Sequence, residues 1–300
     1  MRPAGLHGVF APVCTPFDAE TGDVAPVVLR TVSRALLEAG LDGIVVAGST
    51  GEGELLDEGE KIQLVEYLRD VVPDDRWLIC GTGAESTRAA LRAAQAAGAA
   101  GADAVLVRPP SYFGGIIPPA AFAYHYARIA DESPVPVIIY NIPKYAHVAL
   151  ADGVLRAVAD HERIIGFKES SGDLKVFAAF LAAAPRLTAL IGGGHLFYPA
   201  LEMGAAGGIL AVATFAASPC VQLYRAFRAE DRRTAGAIQE RLTPLAREIV
   251  GGLGPAGIKL AMELVGLPCG PVRPPLVELD LRARARIVDL LAAAGLKAAA

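Results

Sequence analysis

The chain has 300 residues, of which 53% are hydrophobic and 20% are charged, and its formal net charge is −4. This composition is typical of a compact globular protein and excludes an intrinsically disordered chain. The acidic balance and the lack of a basic tract exclude nucleic acid as a partner, because a phosphate backbone is bound by clustered lysine and arginine side chains.

Eight short apolar runs alternate with amphipathic stretches along the chain. Each run is apolar on consecutive residues, as expected for strands of a parallel sheet that is covered on both faces. In chain order they are GVFAPV from Gly8, GIVVAG from Gly43, WLICGTG from Trp77, ADAVLV from Ala102, PVIIYN from Pro136, IIGFKE from Ile164, LTALIGG from Leu187 and GGILAV from Gly207. Eight such strand–helix units predict an α/β protein with a (β/α)8 TIM barrel over residues 1–217.

An open doubly wound sheet is the alternative architecture. The run GTGAES from Gly81 imitates the start of a dinucleotide-binding fingerprint. It lacks the third glycine of that motif, and no acidic residue closes a following strand at the required distance. After Val212 the pattern changes to helices only, so residues 218–300 are predicted to form a C-terminal helical extension.

The cysteines, histidines and apolar stretches suggest neither a metal site nor a membrane segment. The four cysteines and five histidines are scattered, without a CxxC or HExxH pair. The first residues lack the apolar core of a signal peptide. The uncharged stretch 203–224 is interrupted by glycines, Ser218 and Pro219 and is interpreted as a strand and the start of a helix. We therefore predict a cytoplasmic protein without a metal ion or a membrane segment.

Polar side chains follow four of the predicted strands. The second run leads into AGSTGEGE and the fourth into RPPSYFGG, while the fifth ends in YNIPK and the sixth in FKES. In a TIM barrel the C-terminal ends of the strands form the active site. Hydroxyls, a phenol and a lysine are therefore expected to meet in one barrel mouth.

Lys168 ends the sixth strand, where burial would disfavour its ammonium form. A neutral lysine amine attacks carbonyl groups and forms a Schiff base with a 2-oxo acid, whose iminium nitrogen permits C–C bond making or breaking at the adjacent carbon. The alternative is that Lys168 leaves the sheet and pairs with Glu169 or another surface carboxylate.

Tyr140 and the glycine-rich loop after the second strand favour the Schiff-base interpretation. Tyr140 ends the strand next to that of Lys168, where its hydroxyl can move protons. The backbone amides from Ser49 to Glu52 can turn toward a carboxylate. The alternatives are a tyrosine that only packs and a tight turn that only caps the next helix.

In order and spacing, GSTGE, YNIP and GFKESSGD resemble the dihydrodipicolinate synthase / N-acetylneuraminate lyase family of pyruvate-dependent class I aldolases. TPFDAETGDV and GADAVLVRPPSYF fit the same pattern, and GPVRPPLVEL is similar to the 4-hydroxy-2-oxoglutarate aldolase branch. The likeness covers nearly the whole chain. It implies a small-molecule 2-oxo acid substrate, a homotetramer built as a dimer of dimers, and no cofactor other than the covalent lysine imine.

The resemblance also implies a role for each matching residue. Lys168 matches the Schiff-base lysine, and Tyr140 matches the general acid/base that lies against the imine. Ser49 matches a hydroxyl that links Tyr140 to a second tyrosine in a proton relay. Thr50 and the loop amides, Gly51 among them, match the group that binds the pyruvate carboxylate, and Ile209 matches a residue whose carbonyl faces pyruvate. Tyr112 matches the second tyrosine, which reaches a neighbouring subunit's site, with Phe113 as the alternative register.

Three residues, Lys144, Tyr145 and His195, are candidates for binding the part of the substrate beyond pyruvate. Dihydrodipicolinate synthases have an arginine two residues after the YN-x-P proline, where this chain has Tyr145, with Lys144 adjacent. The N-acetylneuraminate branch uses acidic and hydroxyl groups after the seventh strand, where this chain has GGGHLF with His195. We therefore predict a lyase acting on a 4-hydroxy-2-oxo acid. The alternatives are 4-hydroxy-tetrahydrodipicolinate synthase and a 2-keto-3-deoxy sugar acid aldolase or dehydratase.

Two functions of other classes also fit the barrel. A catalytically silent ligand sensor would be expected to have lost Lys168 or Tyr140, and both are present. A barrel enzyme for a phosphorylated sugar would need a glycine-rich phosphate loop after the seventh or eighth strand, for which IGGGHLF is the candidate.

Overall fold

A computed structural model describes residues 5–296, and their eight strands close into one parallel barrel in the order β1 to β8. The strands are β1 Gly8–Pro12, β2 Gly43–Val46, β3 Trp77–Gly81, β4 Ala104–Val107, β5 Val137–Asn141, β6 Ile164–Glu169, β7 Thr188–Ile191 and β8 Gly207–Ile209. Each strand pairs with the next, and β8 returns to β1. The TIM-barrel prediction is confirmed, and the open doubly wound sheet is excluded.

The strands are apolar on both faces because each face is covered. Phe10, Val45 and Ile138 belong to a cluster of buried side chains that fills the barrel interior. Val9 and Ile44, which alternate with them along the strands, belong to the larger cluster that packs under the helices. This alternation places every second residue of a strand toward the barrel axis.

Helices follow the strands around the barrel. Their bounds are α1 Pro26–Glu38, α2 Glu58–Arg69, α3 Thr87–Ala99, α4 Pro119–Glu132, α5 Pro143–Ala146, α6 Asp152–Val158, α7 Leu174–Ala183, α8 Phe197–Glu202, α9 Ala217–Arg228, α10 Arg232–Pro244, α11 Gly254–Leu264 and α12 Leu281–Ala293. Local sequence sets several of these starts. Asp57 and Glu60 form a reciprocal capping box at α2, and the Ser86 hydroxyl caps α3.

The last third of the chain returns to the barrel mouth. Helix α10 continues directly into a nine-residue π-helix, Leu245–Leu253, which is followed by α11. A π-helix is rare in proteins and frequently marks a functional site. The division of the chain into residues 1–217 and 218–300 stays a prediction.

None of the helices between residues 5 and 296 combines the length and the apolar character needed to span a bilayer. The uncharged stretch 203–224 includes β8 and the first part of α9, as its glycines and Pro219 had indicated.

Candidate active site

Lys168 and Tyr140 lie side by side at the mouth of the barrel. They are partners in the register of the parallel strands β5 and β6, so their side chains point the same way. Lys168 Nζ lies 4.1 Å from the centroid of the Tyr140 ring. Both residues are only 5% exposed. The amine and the phenol are therefore neighbours in a site that is largely shielded from water.

Glu169 follows Lys168 in the chain but faces the other side of β6. One oxygen of its carboxylate accepts hydrogen bonds from Asn141 Nδ2 at 3.0 Å and from the Ser171 backbone N–H at 2.6 Å. Burial raises the pKa of Glu169, and these hydrogen bonds act in the opposite direction. Lys168 makes no salt bridge with any residue of the described range 5–296. The alternative in which Lys168 pairs with Glu169 is therefore wrong.

A cavity of about 210 Å³ opens in front of Lys168 and Tyr140. Ser49 and Thr50 line it from the loop after β2, and Ser170 and Ser171 line it from the loop after β6. Its charged side chains are those of Lys144 and Lys168, and none of its lining residues is Asp or Glu. The cavity therefore presents amines and hydroxyls, a combination that suits an anionic, oxygen-rich ligand.

The loop after β2 turns sharply enough to need two left-handed residues. Ala47 and Glu52 have φ angles of 52° and 56°, although neither is glycine. A Cβ on Gly53 would lie 2.1 Å from the carbonyl oxygen of Ala47, so this position has no room for a side chain. Between these residues, Ser49 and Thr50 face the cavity.

Gly51 belongs to the same loop but is not among the residues that line the cavity. It is buried, and its carbonyl oxygen accepts a hydrogen bond from the Thr15 hydroxyl at 2.6 Å. Gly51 therefore anchors the back of the loop to the segment after β1.

Ile209 is the last residue of β8, and it lines the cavity beside Lys168. It is fully buried and pairs with Phe10 across the strand junction that closes the barrel. The role of its backbone carbonyl toward pyruvate stays a prediction.

Tyr112 is not brought to this cavity within the single chain. Its side chain is 82% exposed, and its ring packs edge-on against the exposed ring of Phe113. Its backbone N–H donates to Glu85 at 2.8 Å, which holds the loop after β4 in place. The predicted relay through Tyr112 would therefore need a second copy of the chain.

Lys144, Tyr145 and His195 also line the cavity. The Lys144 ammonium donates to the carbonyl oxygen of Gly251 in the π-helix. Burial and the neighbouring Tyr140 raise the pKa of Tyr145. Burial, followed by the positive charge of Arg247, lowers the pKa of His195, so its imidazole is neutral at pH 7. These three residues give the cavity one cation and two neutral hydrogen-bonding groups.

Several lining residues come from regions that sequence reasoning missed. Ala246, Val250 and Gly251 reach the cavity from the π-helix, and Pro255 and Ile258 reach it from α11. The glycines at 251, 252 and 254 are the one visible signal, and they do not distinguish a π-helix from a loop.

Gly192, directly after β7, was also missed. A Cβ at this position would lie 1.8 Å from Ser170 Oγ and 3.0 Å from Lys168 Cε. Because glycine has no side chain, position 192 leaves room for the side chains of Lys168 and Ser170. From the sequence, the glycine run after the seventh strand is interpreted only as a candidate phosphate loop.

Replacing Gly192 by alanine is expected to displace Ser170 and to turn the Lys168 side chain. The sequence predicts a Schiff base between Lys168 and pyruvate, and we expect the rate at which borohydride traps it to fall by about tenfold or more, because misplacement of a reacting group by 1 Å can cost about a hundredfold. Gly193→Ala is the matched control. The nearest atom to its Cβ would belong to the His195 ring, at 3.3 Å, so labelling should persist. Equal labelling rates in the two variants would contradict this role of Gly192.

The part of the chain between residues 5 and 296 contains no cluster of three or more His, Cys, Asp or Glu side chains suited to a metal ion. All four cysteines are buried free thiols. Burial raises the pKa of Cys80 to about 12, so its thiol is protonated at neutral pH and is not a nucleophile there.

Similar sequences and structures are known. The model of the dihydrodipicolinate synthetase family matches residues 5–294. An uncharacterized DapA-like lyase of Halobacterium salinarum is 36% identical over 294 residues, which cover 98% of this chain and 96% of the relative. A 4-hydroxy-tetrahydrodipicolinate synthase of Methanopyrus kandleri is 34% identical over 275 residues, which cover 91% of each chain.

Among solved structures, YagE of E. coli K12, a prophage protein of the dihydrodipicolinic acid synthase family in complex with pyruvate, superimposes with a TM-score of 0.91 and 28% identity. The match covers 98% of this chain and 100% of YagE. The dihydrodipicolinate synthase of Aquifex aeolicus gives a TM-score of 0.91 at 26% identity, with 98% and 100% covered.

Proposed function

This chain belongs to the dihydrodipicolinate synthetase family of pyruvate-dependent class I aldolases and lyases, and from this premise we propose that its substrate is a 4-hydroxy-2-oxo acid. The enzyme would cleave this acid to pyruvate and an aldehyde, or form it from them. The observation that carries the proposal is the buried pair of Lys168 and Tyr140 in a cavity lined by hydroxyls and lysines and by no carboxylate.

Lys168 forms the covalent intermediate in this proposal. Its neutral amine attacks C2 of the substrate, and loss of water gives an imine. The substrate carboxylate, next to C2, binds the hydroxyls and amides of Ser49 and Thr50. The imine nitrogen accepts the electron pair of the C3–C4 bond as that bond breaks. No further cofactor is required, because the protonated imine is itself the electron sink.

Tyr140 moves the protons of the same sequence. Its hydroxyl gives its proton to the hydroxide that leaves when the imine forms. The phenolate that results takes the proton of the substrate 4-hydroxyl while the C3–C4 bond breaks, and the aldehyde leaves. The enamine that remains is protonated at C3, and hydrolysis of the imine releases pyruvate and the free lysine. The contact between Lys168 Nζ and the ring of Tyr140 supports this role, since the phenol then lies beside the reacting atoms.

The charge of the cavity favours an aldehyde half without an amino group. Lys144, Tyr145 and His195 offer hydrogen-bond donors and one positive charge, which suit a hydroxyl or carboxylate on the distal part of the substrate. An ammonium group would find no Asp or Glu among the lining residues.

The second candidate is condensation of pyruvate with aspartate semialdehyde. Similarity to 4-hydroxy-tetrahydrodipicolinate synthases, including that of Methanopyrus kandleri, favours it. Tyr145 at the position of the expected arginine disfavours it, because lysine and tyrosine replace the bidentate carboxylate binding of a guanidinium poorly.

A substrate panel separates the two candidates. Pyruvate release would be followed from a series of 4-hydroxy-2-oxo acids that differ in the distal group, and pyruvate consumption would be followed with aspartate semialdehyde. We expect cleavage of at least one hydroxy-oxo acid to be faster than the condensation. Condensation alone would overturn the first candidate in favour of the second. Absence of any covalent pyruvate adduct would overturn both.

We also propose that the enzyme is a homotetramer composed of two dimers, in which Tyr112 reaches the active site of a neighbouring subunit. Tyr112, Phe113 and Ile116 are 82%, 63% and 81% exposed in the single chain. Three exposed aromatic or aliphatic side chains within residues 112–116 support an interface at this loop. The cytoplasmic location stays a prediction.

Replacing Tyr112 by phenylalanine is expected to lower turnover by about tenfold or more, because the variant loses one hydroxyl of the proton relay. Formation of the pyruvate adduct should remain measurable, since the Lys168 amine is untouched. Tyr124→Phe is the matched control, as it removes another exposed phenol, on α4. Light scattering should show a tetramer for both variants. Unchanged turnover in Tyr112→Phe would contradict the relay.

A further inference from the structure

A buried ion pair lies behind the loop that carries Ser49 and Thr50. Glu52 Oε1 is 2.7 Å from Lys259 Nζ, and the two side chains are 0% and 4% exposed. The second oxygen of Glu52 accepts the backbone N–H of Arg273 at 2.8 Å. A residue two positions after Thr50 is thus held by two residues more than 200 positions later in the chain.

The C-terminal side of this network is itself tied down. Lys259 Nζ also donates to the carbonyl oxygen of Pro271 at 2.6 Å and lies 4.4 Å from the centroid of the Phe17 ring. The guanidinium of Arg273 lies 4.1 Å from the same ring and binds both oxygens of Glu60 at 2.7 Å. The segment after α11 is therefore fixed against both the first loop of the barrel and helix α2.

Stability of the fold does not by itself account for this arrangement. Burying two charges is costly even when they are paired, and an apolar pair of similar volume is often no less stable. Glu52 also holds a left-handed conformation that is unfavourable for a residue with a side chain. Such costs persist where the surroundings hold a residue for function, and the loop between Ala47 and Glu52 forms one wall of the cavity.

Helix α11 connects this network to the cavity. Ile258 lines the cavity, while the next residue, Lys259, binds Glu52 behind the loop. A shift of α11 would therefore move Ile258 in the cavity wall and, at the same time, Lys259, which holds the loop that carries Ser49 and Thr50.

We propose that Glu52 and Lys259 are positioning residues, through which the C-terminal part of the chain sets the shape of the loop that binds the substrate carboxylate. This inference rests on the proposed function, because it assigns the carboxylate to Ser49 and Thr50. The ion pair itself touches no substrate atom. Its contribution is the conformation of the loop, so the affinity for pyruvate should depend on it more than the chemical steps do.

The test replaces both charges at once, so that neither is left alone in the interior. In Glu52→Gln/Lys259→Met we expect a folded protein whose KM for the 2-oxo acid rises by about tenfold or more, while kcat falls less. The pyruvate concentration that gives half-maximal borohydride labelling of Lys168 should rise by a similar factor. If the pair only stabilises the fold, both values will equal those of the wild type in the folded double variant, and the inference is wrong.

A second variant decides the question if the double variant does not fold. Glu52→Asp keeps the charge and tolerates the left-handed conformation, but its shorter side chain cannot reach both Lys259 and the Arg273 amide. Its KM should rise in the same direction, and an unchanged KM would overturn the inference.

Arg69→Met is the matched control, because it breaks a partly buried ion pair with Asp103, 3.1 Å long, at the opposite end of the barrel. It should lower the melting temperature and leave the KM unchanged. A KM that rises equally in Arg69→Met would show that general destabilisation is responsible and would overturn the inference. Lack of labelling in the wild type would instead remove the proposed function on which the inference rests.

Discussion

Replacement of Lys168 by methionine is expected to abolish the labelling by pyruvate and borohydride and to lower the rate of C–C cleavage by at least about 10⁴-fold. In the proposed mechanism Lys168 supplies the amine that forms the covalent intermediate, and no other residue of the described chain places an amine against Tyr140. Methionine keeps the length of the side chain and fills the same space without a charge. The fold should therefore persist, which a thermal melt would verify.

The matched control for this prediction is Lys144→Met, which removes the other amine of the same cavity. Mass spectrometry of the reduced adduct should find pyruvate on the peptide that contains Lys168, in the wild type and in Lys144→Met alike. A labelled Lys168→Met protein, or loss of label only in Lys144→Met, would identify a different Schiff-base lysine. The KM of Lys144→Met for each acid of the panel would also show whether this amine binds the distal group.

Replacement of Tyr140 by phenylalanine is expected to lower kcat by about 10²- to 10⁴-fold, because the variant loses the proposed general acid/base. The ring under the Lys168 ammonium is retained, so the packing at the mouth changes little. Adduct formation should be slower but should still reach completion at long times. Pre-steady-state measurement of imine formation, followed by steady-state cleavage, separates these two effects.

Tyr145→Phe makes the same change in the same cavity and serves as the control. The Tyr145 phenol lines the cavity, but the residue is 46% exposed and comes from α5. Its removal should change kcat by less than about tenfold. If Tyr145→Phe lost activity and Tyr140→Phe kept it, the acid/base role would belong to Tyr145.

The barrel and the pair of Lys168 and Tyr140 were predictable because both depend on the local pattern of apolar residues along the chain. Runs of consecutive apolar residues mark strands covered on both faces, and a barrel leaves the end of each strand at one mouth. Lys168 and Tyr140 end adjacent strands, so parallel pairing alone brings them together. The same logic placed Ser49 and Thr50 at the barrel mouth, whereas Ile209 was assigned there only by the family resemblance; all three line the cavity.

The parts that were not predictable depend on contacts between distant segments. Lys259 and Arg273 meet Glu52 only because the chain returns to the mouth after the barrel is complete. A π-helix is set by packing rather than by an apolar period, so Leu245–Leu253 carries no clear sequence signature. Tyr112 lies on the surface of one chain, and its role depends on a subunit interface that a single sequence does not describe.

The anchoring of Glu52 by Lys259 and Arg273 has a consequence for the order in which the enzyme is made. All eight strands leave the ribosome before either of these two residues has been synthesised. A nascent chain that contains all eight strands therefore still lacks the anchor of the loop that carries Ser49 and Thr50. We therefore expect full affinity for the 2-oxo acid only after Lys259 and Arg273 have been added to the chain and anchor this loop.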